Sequence, residues 1–265
     1  MAYSHHWLKK IDNLLNTIFI CFKIKTQVIM NLKIKSKATL VIEAIIVLGL
    51  MSGTKAICEQ IQFIPSGYTG SIGIWVGILA ATYFLKKRNI NWSELGLRLP
   101  KGRKQWLKQI GIGFLAIASI FLATIITLYL LKPLLGLEQA ADASNKFSFF
   151  LGKPLVFLVY IVIGIGFGAG LGEELLIRGF LLNQLKNIFG NSKISWGLAL
   201  ITQAVIFGYM HSYHGSIGVV NTGLIAFSFG LIYLLAKRKL FPLIFAHIFF
   251  DILTMAAFYF SEGVV

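Results

Sequence analysis

The stretch IVIGIGFGAGLGEELLIRG, residues 161–179, ends a long apolar, glycine-rich run with two carboxylates and an arginine. Charged groups are costly in apolar surroundings unless they are paired, and inside a membrane span they often mark a functional site. On a helix, Glu174 and Arg178 are four residues apart and share a face, so they can form an ion pair. Glu173 points about 100° away from that face. The pattern predicts a structural Glu174–Arg178 pair and a free carboxylate at Glu173.

Three glycines precede these charges at intervals of four residues: Gly164, Gly168 and Gly172. Small residues at this spacing form a stripe along one face of a helix, against which another helix can approach closely. We therefore expect a tight helix–helix contact immediately before the charged residues.

The composition of the chain is that of a membrane protein. Of its 265 residues, 57% are hydrophobic and 13% are charged, and the mean hydropathy is +0.77. Average soluble domains carry roughly 25% charged residues. We predict an all-α, polytopic bundle of about seven transmembrane helices, within a range of six to eight, because each long apolar run approaches the ~20 residues that cross a bilayer. The predicted spans are 38–56, 70–85, 109–131, 154–172, 194–211, 216–236 and 241–260.

The net charge of +15 is distributed in clusters: seven lysines in residues 1–37, eight Lys or Arg in 86–108, and a KRK at 237–239. Clusters in alternate loops are typical of cytoplasmic loops that face anionic lipid. The basic balance therefore indicates membrane topology and not nucleic-acid binding. It predicts a cytoplasmic N-terminus, with 86–108, 180–193 and 237–239 on the same side.

The N-terminal region is expected to lie on the membrane surface. Residues 7–22 place their apolar side chains on one helical face, which predicts an amphipathic interfacial helix. Met30, followed by a lysine-rich lead, is an alternative start. We divide the chain into a basic amphipathic segment (1–37), N-terminal spans with a basic loop (38–150) and a transmembrane core that contains the candidate site (151–260).

Two further pairs of residues lie at helical spacing near or within later spans. Phe207 precedes His211 by one turn in FGYMH, and His247 precedes Asp251 by one turn in HIFFD. Ionisable groups within a span usually face the interior of the bundle. Glu43 is close enough to the flanking lysines to snorkel, and it is left outside the candidate site.

Residue counting places the two histidines at different depths. A straight helix from Lys193 reaches His211 after 18 residues, about 27 Å, whereas Lys239 to His247 is about 12 Å. A shared site therefore predicts that the chain around 172–195 is irregular or partly inserted, so that the helix bearing His211 starts deeper or tilts. Glu173, His211, His247 and Asp251 are then expected to line one polar cavity.

The three motifs EExxxR, FxxxH and HxxxD occur in this order on successive spans, and together the sequence resembles the CPBP family of intramembrane proteases. That family includes the CAAX endoprotease of prenylated proteins and the bacteriocin-processing and self-immunity (Abi) proteins. GEELLIRGFLL, FGYMHS and LIFAHIFFDIL read like family motifs over about 155–255, and SELGLRLP is similar to a frequent family feature. The resemblance implies an intramembrane endopeptidase acting on hydrophobic or membrane-tethered peptides.

By this resemblance, Glu173 and His211 activate the attacking water, while His247 and the residue at Asp251 stabilise the oxyanion. Glu174, Arg178 and Phe207 support the site. The CAAX endoprotease has asparagine at the position of Asp251, and an ionised carboxylate there would repel the oxyanion. We therefore expect Asp251 to hold His247 in a donor tautomer.

No cofactor is expected. Glu173, His211 and His247 form a Glu–His–His set of the kind that zinc hydrolases use, so these residues would hold a metal if one were bound. However, the chain lacks HExxH, and zinc is not favoured.

Two alternatives to the protease remain at this stage. A non-proteolytic scaffold, regulator or immunity protein could use the same fold, although all three motifs are intact. A proton-coupled transporter should show repeated halves, and the sequence has none. The composition, rich in Lys, Ile and Asn, favours the cell membrane of a low-GC bacterium. The sequence leaves the oligomeric state open.

Overall fold

A computed structural model describes residues 36–140 and 145–262 of the chain. The predicted interfacial helix at 7–22 lies outside the described residues. Within the two described ranges, seven long helices are apolar enough to cross a membrane, which confirms the predicted number of about seven spans. No strand occurs among the described residues, so the all-α prediction is also confirmed there. The helices are α1 (Lys37–Glu59), α2 (Ser66–Lys87), α3 (Arg103–Leu135), α4 (Pro154–Phe189), α5 (Lys193–Met210), α6 (Ser216–Leu235) and α7 (Phe241–Glu262).

Helix α4 is much longer than the predicted span 154–172. It runs unbroken for 36 residues, with wide π-type turns over Ile161–Leu181 and ordinary α-helical turns over Leu182–Phe189. Every residue from 174 to 185 is buried, so the chain stays inside the bundle beyond the predicted end of the span at 172, as expected for a partly inserted segment around 172–195. The polar side chains of Asn183 and Gln184 in this segment are satisfied inside the bundle, by the Tyr233 hydroxyl and the Leu40 carbonyl.

The glycine stripe of α4 packs against α2 as expected. A Cβ atom at Gly168 would overlap Ser71, and one at Gly172 would lie 2.8 Å from Cγ2 of Ile74. The Ser71 hydroxyl donates a hydrogen bond to the carbonyl of Gly164 (3.4 Å). The absence of side chains on this face therefore allows α2 to approach the backbone of α4 directly.

Glu43 does not snorkel to the surface. Its side chain is buried beside Arg88, with Oε2 3.2 Å from the guanidinium Nη2. Gln184 joins the two, because its amide donates to Glu43 (3.2 Å) and its oxygen accepts from Arg88 (3.0 Å). Gln184 also donates to the carbonyl of Leu40 (3.0 Å). This buried network fixes the start of α1 and the end of α2 to the last turns of α4.

The stripe gives a paired prediction. We expect Gly168→Ala to destabilise the protein by about 1–3 kcal/mol, because the new methyl group would lie 2.6 Å from Cβ of Ser71. Gly166→Ala on the same helix should be neutral or stabilising, since the nearest atom to its Cβ is the Ile161 carbonyl at 3.4 Å. Thermal unfolding in detergent measures both. Equal melting temperatures for the two variants would contradict the packing described.

Candidate active site

All the predicted site residues line one cavity of about 690 Å³ inside the bundle. They come from three helices and one helix end: Glu173, Glu174 and Arg178 of α4, Phe207 of α5, His211 just after it, and His247 and Asp251 of α7. The structure therefore brings together residues that are separated by up to 78 positions in the chain.

The predicted ion pair between Glu174 and Arg178 is confirmed. Glu174 Oε1 and Arg178 Nη1 are 3.0 Å apart, and the two side chains are 0% and 1% exposed. The guanidinium also lies 4.9 Å from the ring centre of Phe207 and 5.3 Å from that of Phe229. A charge buried to this degree is stable only with such partners. Arg178 therefore holds the site together through its two terminal nitrogens, which bond Glu174 and the carbonyl of Ala226.

His247 is bound by the same carboxylate. Its Nδ1 lies 2.9 Å from Glu174 Oε1, and an ionised carboxylate can only accept, so Nδ1 donates this hydrogen bond. We expected Asp251 to hold the tautomer of His247, and this expectation is wrong in one respect. Asp251 Oδ2 lies 3.5 Å from Nε2, on the opposite side of the ring, and Glu174 is the residue that fixes Nδ1.

Glu173 points into the cavity and away from Arg178. Its Oε2 is 3.9 Å from Nε2 of His247, which is within electrostatic contact but beyond a hydrogen bond. Among the described residues, this buried oxygen has no hydrogen-bond partner. The two adjacent glutamates thus have the different environments that their helical spacing predicted, one paired and one free.

His211 caps the C-terminus of α5, at the end of its Phe207 motif. Its Nδ1 lies 3.0 Å from the carbonyl oxygen of Phe207, which accepts, so the ring donates from Nδ1. Its ring packs against Phe207 at a centroid distance of 4.6 Å. In the neutral ring, Nε2 is therefore an acceptor. His211 can take a proton from a group in the cavity.

The helix that bears His211 does not start deeper in the bundle, so that alternative is wrong, and the depth difference between the two histidines has another explanation. Gln184 marks the end of the bundle where α1 starts and α2 ends, because it bonds Leu40 and Arg88. Helix α4 continues five residues past this level, about 8 Å, and α5 starts beyond it. This overhang removes about half of the difference obtained by counting. The irregularity expected at 172–195 takes the form of wide turns up to Leu181, without a break in the helix.

Three residues that the sequence argument did not select also line the cavity: Lys146, Tyr213 and Asn221. The Lys146 ammonium lies 4.1 Å from the ring centre of Tyr213, and burial lowers the pKa of Lys146. Tyr213 follows the FxxxH motif by two residues, and Asn221 is the one amide side chain within an otherwise apolar span. Both residues could therefore have been recognised from the sequence as candidates for the cavity. Lys146 could not be recognised in this way, because it lies between the predicted spans 109–131 and 154–172.

The candidate ligand set does not form a metal site in the described residues. Within 36–140 and 145–262, no group of three or more His, Cys, Asp or Glu side chains is arranged to hold a metal ion. His247 Nδ1 already donates to Glu174. Glu173, His211 and His247 share a cavity without converging on one point.

The fold and this cavity define an integral membrane protein with a buried Glu–His site. Residues 154–253, from the start of α4 into α7, match the model of the family "Type II CAAX prenyl endopeptidase Rce1-like". This segment is therefore an Rce1-like domain, from a family of CAAX-type intramembrane endopeptidases, and the match confirms the resemblance to the CPBP family. No curated protein and no solved structure matched the chain in the other two comparisons.

Because Glu174 binds both Arg178 and His247, we predict that it contributes to the stability of the fold. We expect Glu174→Gln to lower the stability by about 3 kcal/mol or more, because Arg178 would remain buried without a counter-charge. Glu173→Gln should leave the stability unchanged. Thermal unfolding and the yield of detergent-purified protein provide the measurement. The double variant Glu174→Gln/Arg178→Met should recover part of the loss, since it removes the unpaired charge. A Glu174→Gln protein as stable as wild type would contradict the structural role.

Proposed function

We propose that the protein is an intramembrane endopeptidase that hydrolyses peptide bonds of hydrophobic or membrane-tethered substrates, with Glu173 as the general base. One observation carries this proposal: Glu173 faces a cavity that also contains two histidines, inside an apolar bundle, and its Oε2 accepts no hydrogen bond within the described part of the chain. The Rce1-like domain supports the same class of reaction. We place the protein in a bacterial cell membrane with its N-terminus in the cytoplasm.

In the proposed reaction, a water molecule lies between Glu173 and His211. Glu173 takes one proton as the water oxygen forms a bond to the scissile carbonyl carbon, and the π-electron pair moves onto the carbonyl oxygen. When that pair returns, the C–N bond breaks, and the proton is delivered to the leaving nitrogen. His211 supports the transfer, because its Nδ1 is occupied by Phe207 and its Nε2 can accept.

His247 is proposed to stabilise the negative oxygen as an imidazolium, which carries a proton on Nε2 while Nδ1 donates to Glu174. Three carboxylates within 4 Å of the ring, those of Glu173, Glu174 and Asp251, favour this charged form. Glu174 acts as a positioning residue, since it fixes the ring through Nδ1. Donors placed in advance toward a developing oxyanion commonly contribute a factor of about 10²–10³ in kcat. Arg178 keeps Glu174 ionised and in place through their 3.0 Å contact. In this proposal only Glu173, His211 and His247 contact the reacting atoms, whereas Glu174 and Arg178 hold His247 in position.

The class of substrate follows from the walls of the cavity. Apolar and aromatic side chains such as Ile74, Phe147 and Phe250 line it beside the polar groups. Peptides with apolar segments or lipid anchors fit such a site. We propose CAAX-type peptides, bacteriocin or signal-peptide precursors, or a self-immunity target as candidate substrates.

The decisive test uses two peptides reconstituted with the purified protein in vesicles. One is a single-span hydrophobic peptide, and the other ends in a farnesylated Cys-aliphatic-aliphatic-Met sequence. We expect wild type to cleave at least one, and Glu173→Gln to be at least about 10³-fold slower because it lacks the base. Mass spectrometry of the products measures both the rate and the cleaved bond.

The control is Glu59→Gln, which changes an exposed carboxylate that is paired with Lys55. It should cleave at the wild-type rate. Binding of a peptide without cleavage by the wild-type protein would instead indicate a non-proteolytic scaffold or immunity protein. Activity retained in Glu173→Gln but lost in a well-folded Glu174→Gln would show that the two roles are reversed.

We further propose that the reaction does not depend on a metal. Strong chelators should then leave cleavage intact, and elemental analysis should find less than one equivalent of zinc per chain. Stoichiometric zinc that is lost in His211→Ala, together with activity restored by adding zinc to stripped protein, would contradict this proposal.

A further inference from the structure

Asn221 stands apart from the other polar residues of α6. Thr222 and Ser228 donate to carbonyls of their own helix, at 2.7 Å to Gly218 and 2.9 Å to Ile225. The Tyr233 hydroxyl donates to the carbonyl of Leu95 (2.9 Å). These side chains are satisfied without any ligand, which is the usual condition of polar groups in a span.

The Asn221 side chain lines the active-site cavity, and its Oδ1 is buried without a hydrogen-bond partner in the described part of the chain. Its amide nitrogen also has no partner among those residues. An unsatisfied amide is unfavourable, and an apolar residue at this position would avoid that penalty. The position is therefore better explained by a ligand in the cavity than by packing.

The position along α6 places this amide between the two catalytic candidates. The cavity-lining face of α6 includes Gly218, Asn221, Ile225 and Phe229. At one end, a Cβ at Gly218 would lie 2.9 Å from the backbone oxygen of His211. At the other end, the Phe229 ring lies edge-on to His247 at a centroid distance of 6.2 Å. Asn221 is one helical turn from Gly218, which contacts His211, and about two turns from Phe229, which contacts His247.

The donors already described are mostly occupied. Arg178 is bound to Glu174 and to the carbonyl of Ala226, and His211 donates to Phe207. His247 donates from Nδ1 to Glu174, so it has only its Nε2 side to offer. As a carboxylate, Asp251 has no proton to donate. Among the candidate catalytic residues, only His247 Nε2 therefore has a side free to face a negative oxygen. A second donor would have to come from another cavity residue, such as the Asn221 amide or the Tyr213 hydroxyl, and the amide adds no charge.

We propose that Asn221 is a further catalytic residue, whose side-chain N–H donates to the oxyanion of the scissile carbonyl. The inference rests on the proposed endopeptidase function. The oxyanion forms when the water oxygen bonds to the carbonyl carbon, its proton goes to Glu173 and the π pair moves onto oxygen. Asn221 exchanges no proton in this step. It stabilises the charge until the pair returns and the C–N bond breaks.

The test compares Asn221→Asp with Thr222→Val in the full-length protein, using whichever reconstituted peptide wild type cleaves. Asn221→Asp keeps the shape but removes the N–H donor, so kcat should fall about 100-fold or more with KM changed less than about 3-fold. Thr222→Val alters a neighbouring side chain that bonds its own helix, and it should retain wild-type kcat. Tyr213→Phe tests the cavity hydroxyl as the rival donor, and its loss of kcat should be smaller than that of Asn221→Asp.

A phosphinate analogue of the same peptide gives a second readout. Its inhibition constant should rise in Asn221→Asp in proportion to the loss of kcat/KM, because the analogue carries the tetrahedral oxygen. Asn221→Ala should show the same pattern without the added charge, and thermal unfolding checks that both variants are folded. If Ala unfolds, the comparison of Asp with Gln decides, since Gln keeps an N–H donor and should retain more activity than Asp.

Unchanged kcat in a folded Asn221→Asp, or a rise in KM alone, would overturn the role of Asn221 while leaving the endopeptidase proposal standing. Loss of kcat in Tyr213→Phe but not in Asn221→Asp would assign the oxyanion to the tyrosine. A wild-type protein that cleaves neither peptide would overturn both proposals together.

Discussion

One carboxylate oxygen holds the centre of this molecule together. Glu174 Oε1 accepts from the Arg178 guanidinium at 3.0 Å and from His247 Nδ1 at 2.9 Å. The first contact lies within α4, and the second joins α4 to α7. Arg178 extends the connection further, because it bonds the carbonyl of Ala226 in α6 and lies against the Phe207 ring of α5. Removing this oxygen would leave a buried cation and an unoriented histidine in an apolar bundle.

The same pairing explains why the neighbouring glutamate is available for chemistry. A chain that contains two adjacent carboxylates and one arginine can neutralise only one carboxylate by contact. The helix turns the other toward the cavity, where Glu173 approaches His247 only to 3.9 Å. A carboxylate in this position lies close to a histidine but is not held by a hydrogen bond that a structural role would need. The two glutamates therefore differ in role because of their positions on the helix, since their side chains are chemically identical.

Much of the fold could be predicted because hydropathy reports directly on span length, and all seven spans were recognised in this way. The Glu174–Arg178 pair was predictable because i and i+4 residues meet on any helix. The contact between Glu174 and His247 was not, since it joins residues 73 positions apart and depends on how α7 packs. The end of α4 was missed for a related reason. Asn183 and Gln184 look like loop residues until their partners Tyr233, Leu40 and Glu43 are known.

The distribution of charge around His247 also limits how the site can stabilise a negative oxygen. Glu173 and Asp251 lie 3.9 and 3.5 Å from Nε2, so two carboxylates already face the side of the ring that would meet the substrate. In a medium of low dielectric constant, an oxyanion formed beside them is repelled more strongly than in water. The transfer of a proton to Glu173 removes one of these charges at the moment the oxyanion appears. The other remains as long as Asp251 is ionised, and a neutral donor such as the amide proposed at Asn221 would stabilise the oxyanion without adding another charge to the cluster.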